Sequence, residues 1–143
     1  MPESDLVLLV VREWVQKAEN DLRTSAHTLK LVDDCPTEAV CFHAQQCVEK
    51  YLKALLISSG LDFPRTHDIG ELIALIPLTI RLKGLTVESQ RRLTTYATLA
   101  RYPGHYDPIT VREARSAVRL ARATRSQIRK FLPAEAIRKK LRR

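Results

Sequence analysis

Residues 42–56 read FHAQQCVEKYLKALL, and this stretch decides the fold. Its apolar residues recur at helical spacing, and the same period runs from about residue 37 to residue 59. The apolar positions are broad rather than confined to a narrow stripe: Val40, Ala44, Cys47, Tyr51, Ala54 and Leu55 mark one face, which Phe42, Leu52 and Leu56 widen. A face of this width predicts a central helix that packs against several neighbours.

The apolar period stays helical on both sides of this segment, without strand-like alternation, hairpin turns or an internal repeat. Asp68 and Thr110 are each followed three residues later by a glutamate, which predicts two helix N-caps. The other predicted helices cover residues 4–32, 68–76, 86–101 and 110–131. The sequence therefore predicts an all-α, up-and-down antiparallel bundle of four long helices and one short helix. We expect this bundle to occupy residues 1–132, with a basic tail at 133–143 that is helical or frayed.

Composition limits the class of protein. The chain has 143 residues, of which 45% are hydrophobic and 28% charged, and this balance is typical of one globular domain. Its longest apolar run, LVLLVV at 6–11, is far shorter than the ~20 residues that span a bilayer, so we expect neither a membrane span nor a signal peptide. The three cysteines are crowded into residues 35–47, which suits free thiols. We therefore expect a cytoplasmic protein.

Positive charge is concentrated at one end of the chain. The net charge is +8, yet residues 112–143 hold twelve Lys and Arg against two acidic residues, whereas residues 1–111 carry a slight negative excess. Such a block predicts a polyanionic partner, either nucleic acid or an acidic protein surface.

The fifth predicted helix carries arginines at successive steps of 3, 4, 3, 3 and 4 residues, namely Arg112, Arg115, Arg119, Arg122, Arg125 and Arg129. With almost no acidic residue beside them these arginines repel one another, so the isolated helix gains nothing from the pattern. Guanidinium groups fork onto phosphate oxygens, and we therefore predict that Arg112, Arg115, Arg119 and Arg122 bind RNA or a nucleotide. The alternative is a plain solvated helix face.

A second polar pattern lies on the central helix, where His43, Gln46, Lys50 and Lys53 recur at steps of 3, 4 and 3. Periodicity alone predicts that this stripe is the exposed edge of the helix, and we include Lys50 and Lys53 among the candidate RNA-binding or nucleotide-binding residues. The spacing of cysteines and histidine does not suit a structural zinc site. Common phosphate-cradling and hydrolase motifs are absent from the sequence. We therefore expect no metal and no cofactor.

The stretch ARYPGHY at 100–106 separates the fourth and fifth predicted helices. Pro103 and Gly104 account for a turn, but a turn needs neither Arg101 nor His105 nor Tyr106. These three residues therefore predict a site. In the alternative interpretation, Arg101 caps the carbonyl groups of the preceding helix and His105 is solvated.

Three segments, taken in order, carry a resemblance to a known family. FHAQQCVEKYLKALL at 42–56, THDIGELI at 66–73 and ARYP at 100–103 together resemble the HEPN family over about residues 14–131. The resemblance implies an α-helical bundle that forms a homodimer. In many relatives it implies a metal-independent endoribonuclease that is the toxin of a toxin–antitoxin pair, with a small nucleotidyltransferase as the antitoxin. Other members bind nucleotides without demonstrated cleavage.

Carried over to this sequence, the resemblance implies that Arg101 and His105 are the catalytic pair and that Tyr106 is the tyrosine modified by the nucleotidyltransferase. Three residues separate Arg101 from His105, one fewer than the shortest spacing of the family pattern. The chemistry is coherent without a metal, because a histidine moves a proton near neutral pH and an arginine stabilises a phosphorane-like transition state. A symmetric dimer would place two such pairs at one groove.

Three hypotheses for function remain open at this stage. The first is an RNA-binding or RNA-cleaving toxin-like protein. The second is a non-catalytic nucleotide-binding or regulatory partner of a nucleotidyltransferase. The third is a helical adaptor that grips an acidic protein.

Overall fold

The computed structural model describes residues 3–99, 104 and 107–138, and six α-helices lie within these residues. They are α1 (Glu3–Leu29), α2 (Thr37–Ser58), α3 (Ile69–Ala74), α4 (Val87–Leu99), α5 (Val111–Arg129) and α6 (Ala134–Ile137). The described residues contain no strand. The predicted all-α helical bundle is therefore confirmed.

The second helix lies at the centre of the molecule. It packs against α1, α3, α4 and α5. From residue 44 to residue 56 every α2 residue is buried except Lys50. The wide apolar face that the sequence predicted is thus the consequence of neighbours on nearly every side.

The first helix ends earlier than its apolar period predicts. The predicted segment runs to Val32, but α1 ends at Leu29 and Val32 is 94% exposed. Asp34 has a φ of 51°, in the left-handed region that reverses the chain before α2 begins. The chain must turn here to bring α2 back along α1, and Val32 lies on that turn.

Both predicted N-caps are present. The Asp68 side chain accepts a hydrogen bond from the backbone N–H of Glu71 at 3.2 Å, and the Thr110 hydroxyl accepts one from the N–H of Glu113 at 3.0 Å. The cap at Thr110 satisfies a backbone N–H of the first turn and marks where α5 begins.

Two buried or half-buried hydroxyl groups join elements that are distant in sequence. Ser25 is fully buried on α1 and donates to the carbonyl oxygen of Val40 on α2 at 2.7 Å. Thr37, the first residue of α2, donates to the carbonyl oxygen of Ile109 at 2.7 Å. Ser25 therefore occupies an apolar position of α1 without leaving a buried polar group unsatisfied.

An ion-pair cluster joins α5 to α1. The Glu19 carboxylate accepts two hydrogen bonds from Arg125, at 2.7 Å from Nε and 2.7 Å from Nη2. Arg129 donates to the same carboxylate at 3.4 Å and to the Tyr51 hydroxyl on α2 at 3.2 Å. Burial raises the pKa of Glu19, but the hydrogen bonds and charge of Arg125, with help from Arg129, lower it below its ordinary value.

The beginning of the predicted basic tail is part of the packed structure. The last helix, α6, lies against α1, and its residue Ala136 is buried together with Leu132 just before it. Arg129 also donates to the carbonyl oxygen of Ile137 at 3.4 Å. Residues up to 138 therefore contribute to the same body as the other helices, while residues 139–143 lie outside the described part.

None of the helices described is both long enough and apolar enough to cross a membrane.

We predict that Glu19→Gln lowers the free energy of unfolding by about 1–2 kcal/mol at pH 7, because two half-buried guanidinium groups lose their anion. The folded-state pKa of Glu19 lies below its ordinary value of 4.5, so the contribution is complete above that pH. It is lost as the pH falls through the folded-state pKa. Urea denaturation should therefore show a lower free energy of unfolding for the variant than for the parent protein at pH 7, and a smaller difference between them at pH 3.

The matched control is Glu13→Gln, an exposed glutamate on the same helix. It should change stability by less than about 0.5 kcal/mol at either pH. An equal loss in both variants would contradict a specific role for the cluster.

Candidate nucleic-acid interface

Four arginines of α5 form an exposed basic surface, which we call the arginine face: Arg112, Arg115, Arg119 and Arg122. All four are exposed, and none has a carboxylate partner among the residues that the structure describes. Arg119 donates to the hydroxyl of Ser116 one turn earlier, at 3.1 Å. The guanidinium groups are therefore available to an external anion.

The opposite side of α5 explains why the arginines must point outward. Its buried residues face the core: Ala114, Ala117, Val118, Ala121, Thr124 and Ile128. These positions follow the helical period, and α5 packs through them against α2. The core contact thus fixes the rotation of α5, and the arginine face is what remains on the solvent side.

The predicted row of six unpaired arginines needs a correction at its C-terminal end. Arg125 and Arg129 are only partly exposed and share the Glu19 carboxylate of α1. Hydrogen bonding to Glu19 raises the pKa of Arg125 above its ordinary value, so this guanidinium stays charged. No local pattern indicates this partner, because Glu19 lies 106 positions from Arg125.

The polar stripe of α2 is not an exposed edge, and that expectation is wrong for two of its members. Gln46 and Lys53 are 9% and 7% exposed, because α2 has neighbours on nearly every side. His43 and Lys50 both contact the Asp21 carboxylate of α1, at 2.8 Å and 2.5 Å. Two of the four side chains therefore lie inside the bundle, and the other two are partly buried against α1.

The deepest part of this network surrounds Glu49, which is 2% exposed. Its carboxylate accepts from Gln45 at 3.0 Å and from Lys53 at 3.1 Å, and it contacts the His67 ring nitrogen at 2.8 Å. The Lys53 ammonium also lies 5.3 Å from the ring centre of Trp14 and 5.4 Å from that of Phe63. Every charge in this cluster has a partner. The sequence did not point to Glu49 as the centre of a buried network.

Lys50 and Lys53 thus reach carboxylates of the bundle itself. Their ion pairs neutralise charge that an RNA phosphate would otherwise attract. That they contact RNA or a nucleotide stays a prediction, and the arginine face is the stronger candidate.

The predicted catalytic residues Arg101 and His105 and the candidate modified residue Tyr106 lie outside the described residues. Their position in the sequence is between the end of α4 at Leu99 and the start of α5 at Val111. A groove of about 270 Å³ separates these two helices, and Tyr96 and Glu113 line it. The arginine face begins at Arg112, in the first turn of α5.

Two of the three cysteines, Cys41 and Cys47, are poorly placed for metal binding or nucleophilic chemistry. Burial raises the pKa of the Cys41 thiol to about 12, and burial also raises the pKa of the Cys47 thiol. Both groups are therefore protonated at neutral pH, and a thiolate is the form that binds metals or attacks substrates. Within the described residues no group of three His, Cys, Asp or Glu side chains could hold a metal ion.

A second concave surface, unmarked by the sequence, lies between α1 and the C-terminal end of the chain. We call it the α1–α6 pocket. It has a volume of about 390 Å³ and is lined by Arg12, Val15, Gln16, Glu19, Asn20, Arg23, Arg129, Ala136, Ile137 and Arg138. Four arginines from three helical regions therefore meet at one depression.

This chain is similar to known proteins in both sequence and structure. A family model described as "HEPN domain" matches residues 11–130. The crystal structure of TT1696 from Thermus thermophilus is similar, with 30% sequence identity and a TM-score of 0.73 over 85% of this chain and 98% of that chain. No curated protein matches this chain.

We predict that Glu49→Ala lowers the free energy of unfolding by about 3–5 kcal/mol, because it leaves the buried Lys53 ammonium without its anion. The double variant Glu49→Leu/Lys53→Met should recover most of this loss, since it removes both charges and keeps the volume. Chemical denaturation of the three proteins measures the difference.

Glu88→Ala serves as the control, because Glu88 is an exposed glutamate with an i,i+4 arginine partner. It should cost less than about 1 kcal/mol. A Glu49→Ala variant as stable as this control would contradict the buried network.

Proposed function

We propose that this chain, which belongs to the HEPN domain family, binds RNA along the arginine face of α5. The observation that carries the proposal is the exposure of Arg112, Arg115, Arg119 and Arg122 on one helix face without carboxylate partners in the described part of the chain. Arg125 and Arg129 differ from them, since Glu19 already neutralises part of their charge.

Electrostatics favours RNA over a neutral partner. The positive excess of the chain lies in residues 112–143, and the arginine face is the part of it presented by a rigid helix. Guanidinium groups bind phosphate oxygens two at a time and release condensed counterions from the nucleic acid. Members of the HEPN family are often nucleases or nucleotide-binding proteins, and this supports the same class of ligand.

We further propose that the protein cleaves the RNA it binds, with Arg101 and His105 as the reacting pair. The 2′-hydroxyl oxygen of the RNA forms a bond to the adjacent phosphorus while the bond from phosphorus to the 5′-oxygen breaks. Histidine takes the proton of the 2′-hydroxyl and a proton passes from histidine to the leaving 5′-oxygen, while arginine stabilises the charge on the transition state. The products carry a 2′,3′-cyclic phosphate and a 5′-hydroxyl group.

The proposed active assembly is a homodimer. One arginine and one histidine make a sparse site, and a two-fold axis would bring two copies of each to a single groove. The family resemblance also supports a nucleotidyltransferase as the partner protein, with Tyr106 beside the proposed histidine as its target. In that arrangement this chain is the toxin and the nucleotidyltransferase the antitoxin.

Replacing Arg115, Arg119 and Arg122 together with Gln should weaken RNA binding and flatten its salt dependence. Each lost phosphate contact removes about 0.7 from the slope of log affinity against log salt for a single strand, so the slope should fall by about 2. Fluorescence anisotropy between low and high salt measures both effects.

The control for that experiment is Lys17→Gln/Lys30→Gln/Arg81→Gln, which removes three exposed positive charges elsewhere. Its slope should stay close to that of the parent. If the two triple variants behave alike, only the net charge matters, and the arginine face is a solvated surface.

We expect purified protein to cleave RNA in the presence of EDTA and to sediment as a dimer under the same conditions. His105→Ala and Arg101→Ala should abolish cleavage while leaving the melting temperature nearly unchanged. Arg101→Lys should also fail, because an ammonium keeps the charge but cannot fork onto two phosphate oxygens. Cleavage that persists in His105→Ala would contradict the proposed active site. It would not contradict the proposed binding of RNA along the arginine face.

A further inference from the structure

The α1–α6 pocket holds more arginines than its carboxylate can neutralise. Glu19 is the one carboxylate among its described lining residues, and Arg125 already holds it with two short hydrogen bonds. Arg12, Arg23 and Arg138 have no carboxylate partner among the described residues. The pocket therefore has an excess of positive charge that an anion would neutralise.

One wall of the pocket is held in place before any ligand arrives. Arg129 donates to Glu19, to the Tyr51 hydroxyl and to the carbonyl oxygen of Ile137. These contacts fix the guanidinium group and tie α6 to the end of α5. Arg129 therefore loses little conformational entropy when an anion binds, whereas the side chains of Arg12, Arg23 and Arg138 are ordered by the ligand itself.

The types of donor indicate the chemistry of the ligand. Arginine forks match phosphate oxygens, and the amides of Gln16 and Asn20 add neutral hydrogen-bonding groups on the same side of α1. A volume of about 390 Å³ falls within the range of small-ligand pockets. A phosphomonoester carries more charge and more terminal oxygens than a phosphodiester, so it suits several converging arginines better than the backbone of a strand does.

The arginine face leads toward this pocket. Both lie on or beside α5, and Arg129 lines the pocket about 25 Å along the helix axis from Arg112. An RNA strand bound to the arginine face can therefore present its end to the pocket.

We propose that the α1–α6 pocket is a phosphomonoester site that takes the terminal phosphate of RNA bound along the arginine face. The RNA as the source of the phosphate rests on the proposed function, whereas the phosphate chemistry of the pocket does not. Cleavage as proposed above leaves a cyclic diester and a hydroxyl at the cut. Neither new end carries a phosphomonoester, so the pocket distinguishes an original RNA terminus from the ends that cleavage forms.

The test compares one oligoribonucleotide in three forms, with a 5′-phosphate, with a 3′-phosphate and with hydroxyl groups at both ends. The protein carries His105→Ala so that the RNA stays intact. We expect one phosphorylated form to bind about tenfold more tightly than the hydroxyl form, as one charge-assisted contact would give. Arg12→Gln/Arg23→Gln should remove this preference, and Lys17→Gln/Lys30→Gln, which removes two exposed charges outside the pocket, should retain it.

A second arm detects a small phosphorylated ligand without RNA. AMP should raise the melting temperature of the parent more than adenosine does, and the Arg12→Gln/Arg23→Gln variant should lose the difference. If no RNA binds but this arm succeeds, the proposed function fails and the phosphomonoester site stands, with a free phosphorylated compound as its ligand. Equal binding of all three RNA forms together with equal effects of AMP and adenosine would overturn the proposal. A phosphate preference that survives in the double variant would overturn the location.

Discussion

The enclosure of α2 is the constraint on which the rest of the structure depends. A helix with neighbours on nearly every side cannot send its polar side chains to water, so each must find a partner inside the protein. Glu49 meets this requirement with Gln45, Lys53 and His67, and the partly exposed Lys50 pairs with Asp21 of α1. The positions of α1 and of the segment before α3 are therefore set by hydrogen bonds as well as by apolar packing.

The same enclosure separates the parts of the protein that hold the fold from those that are free to bind. The charges of Glu49, Lys50 and Lys53 on α2 are paired within the bundle, whereas the arginines on the outer side of α5 have no carboxylate partner among the described residues. The division runs through α5 itself: Arg122 is exposed, and Arg125, three residues later, is tied to Glu19. One helix thus serves as scaffold at its C-terminal end and as a binding surface before it.

Local sequence patterns predicted what depends on local physics. The period of α2, the N-caps at Asp68 and Thr110 and the outward direction of Arg115 follow from neighbours within a few residues. Local patterns did not predict features that depend on residues far apart in the sequence. The burial of Lys53 depends on how many helices surround α2, and the α1–α6 pocket exists because α6 lies against α1. Nothing within one turn of Arg23 marks it as part of a pocket.

The two buried thiols of α2 can report the order in which the helices separate during unfolding. The Cys47 thiol lies in the field of the Glu19 and Asp21 charges on α1, whereas Cys41 lies near Tyr96 of α4 and Glu113 of α5. Six residues of helix turn these side chains by about 240° relative to each other, so they face different neighbours. Alkylation of Cys47 would therefore follow the departure of α1, and alkylation of Cys41 the departure of α4 and α5. The order of the two reactions reveals which side of the bundle opens first.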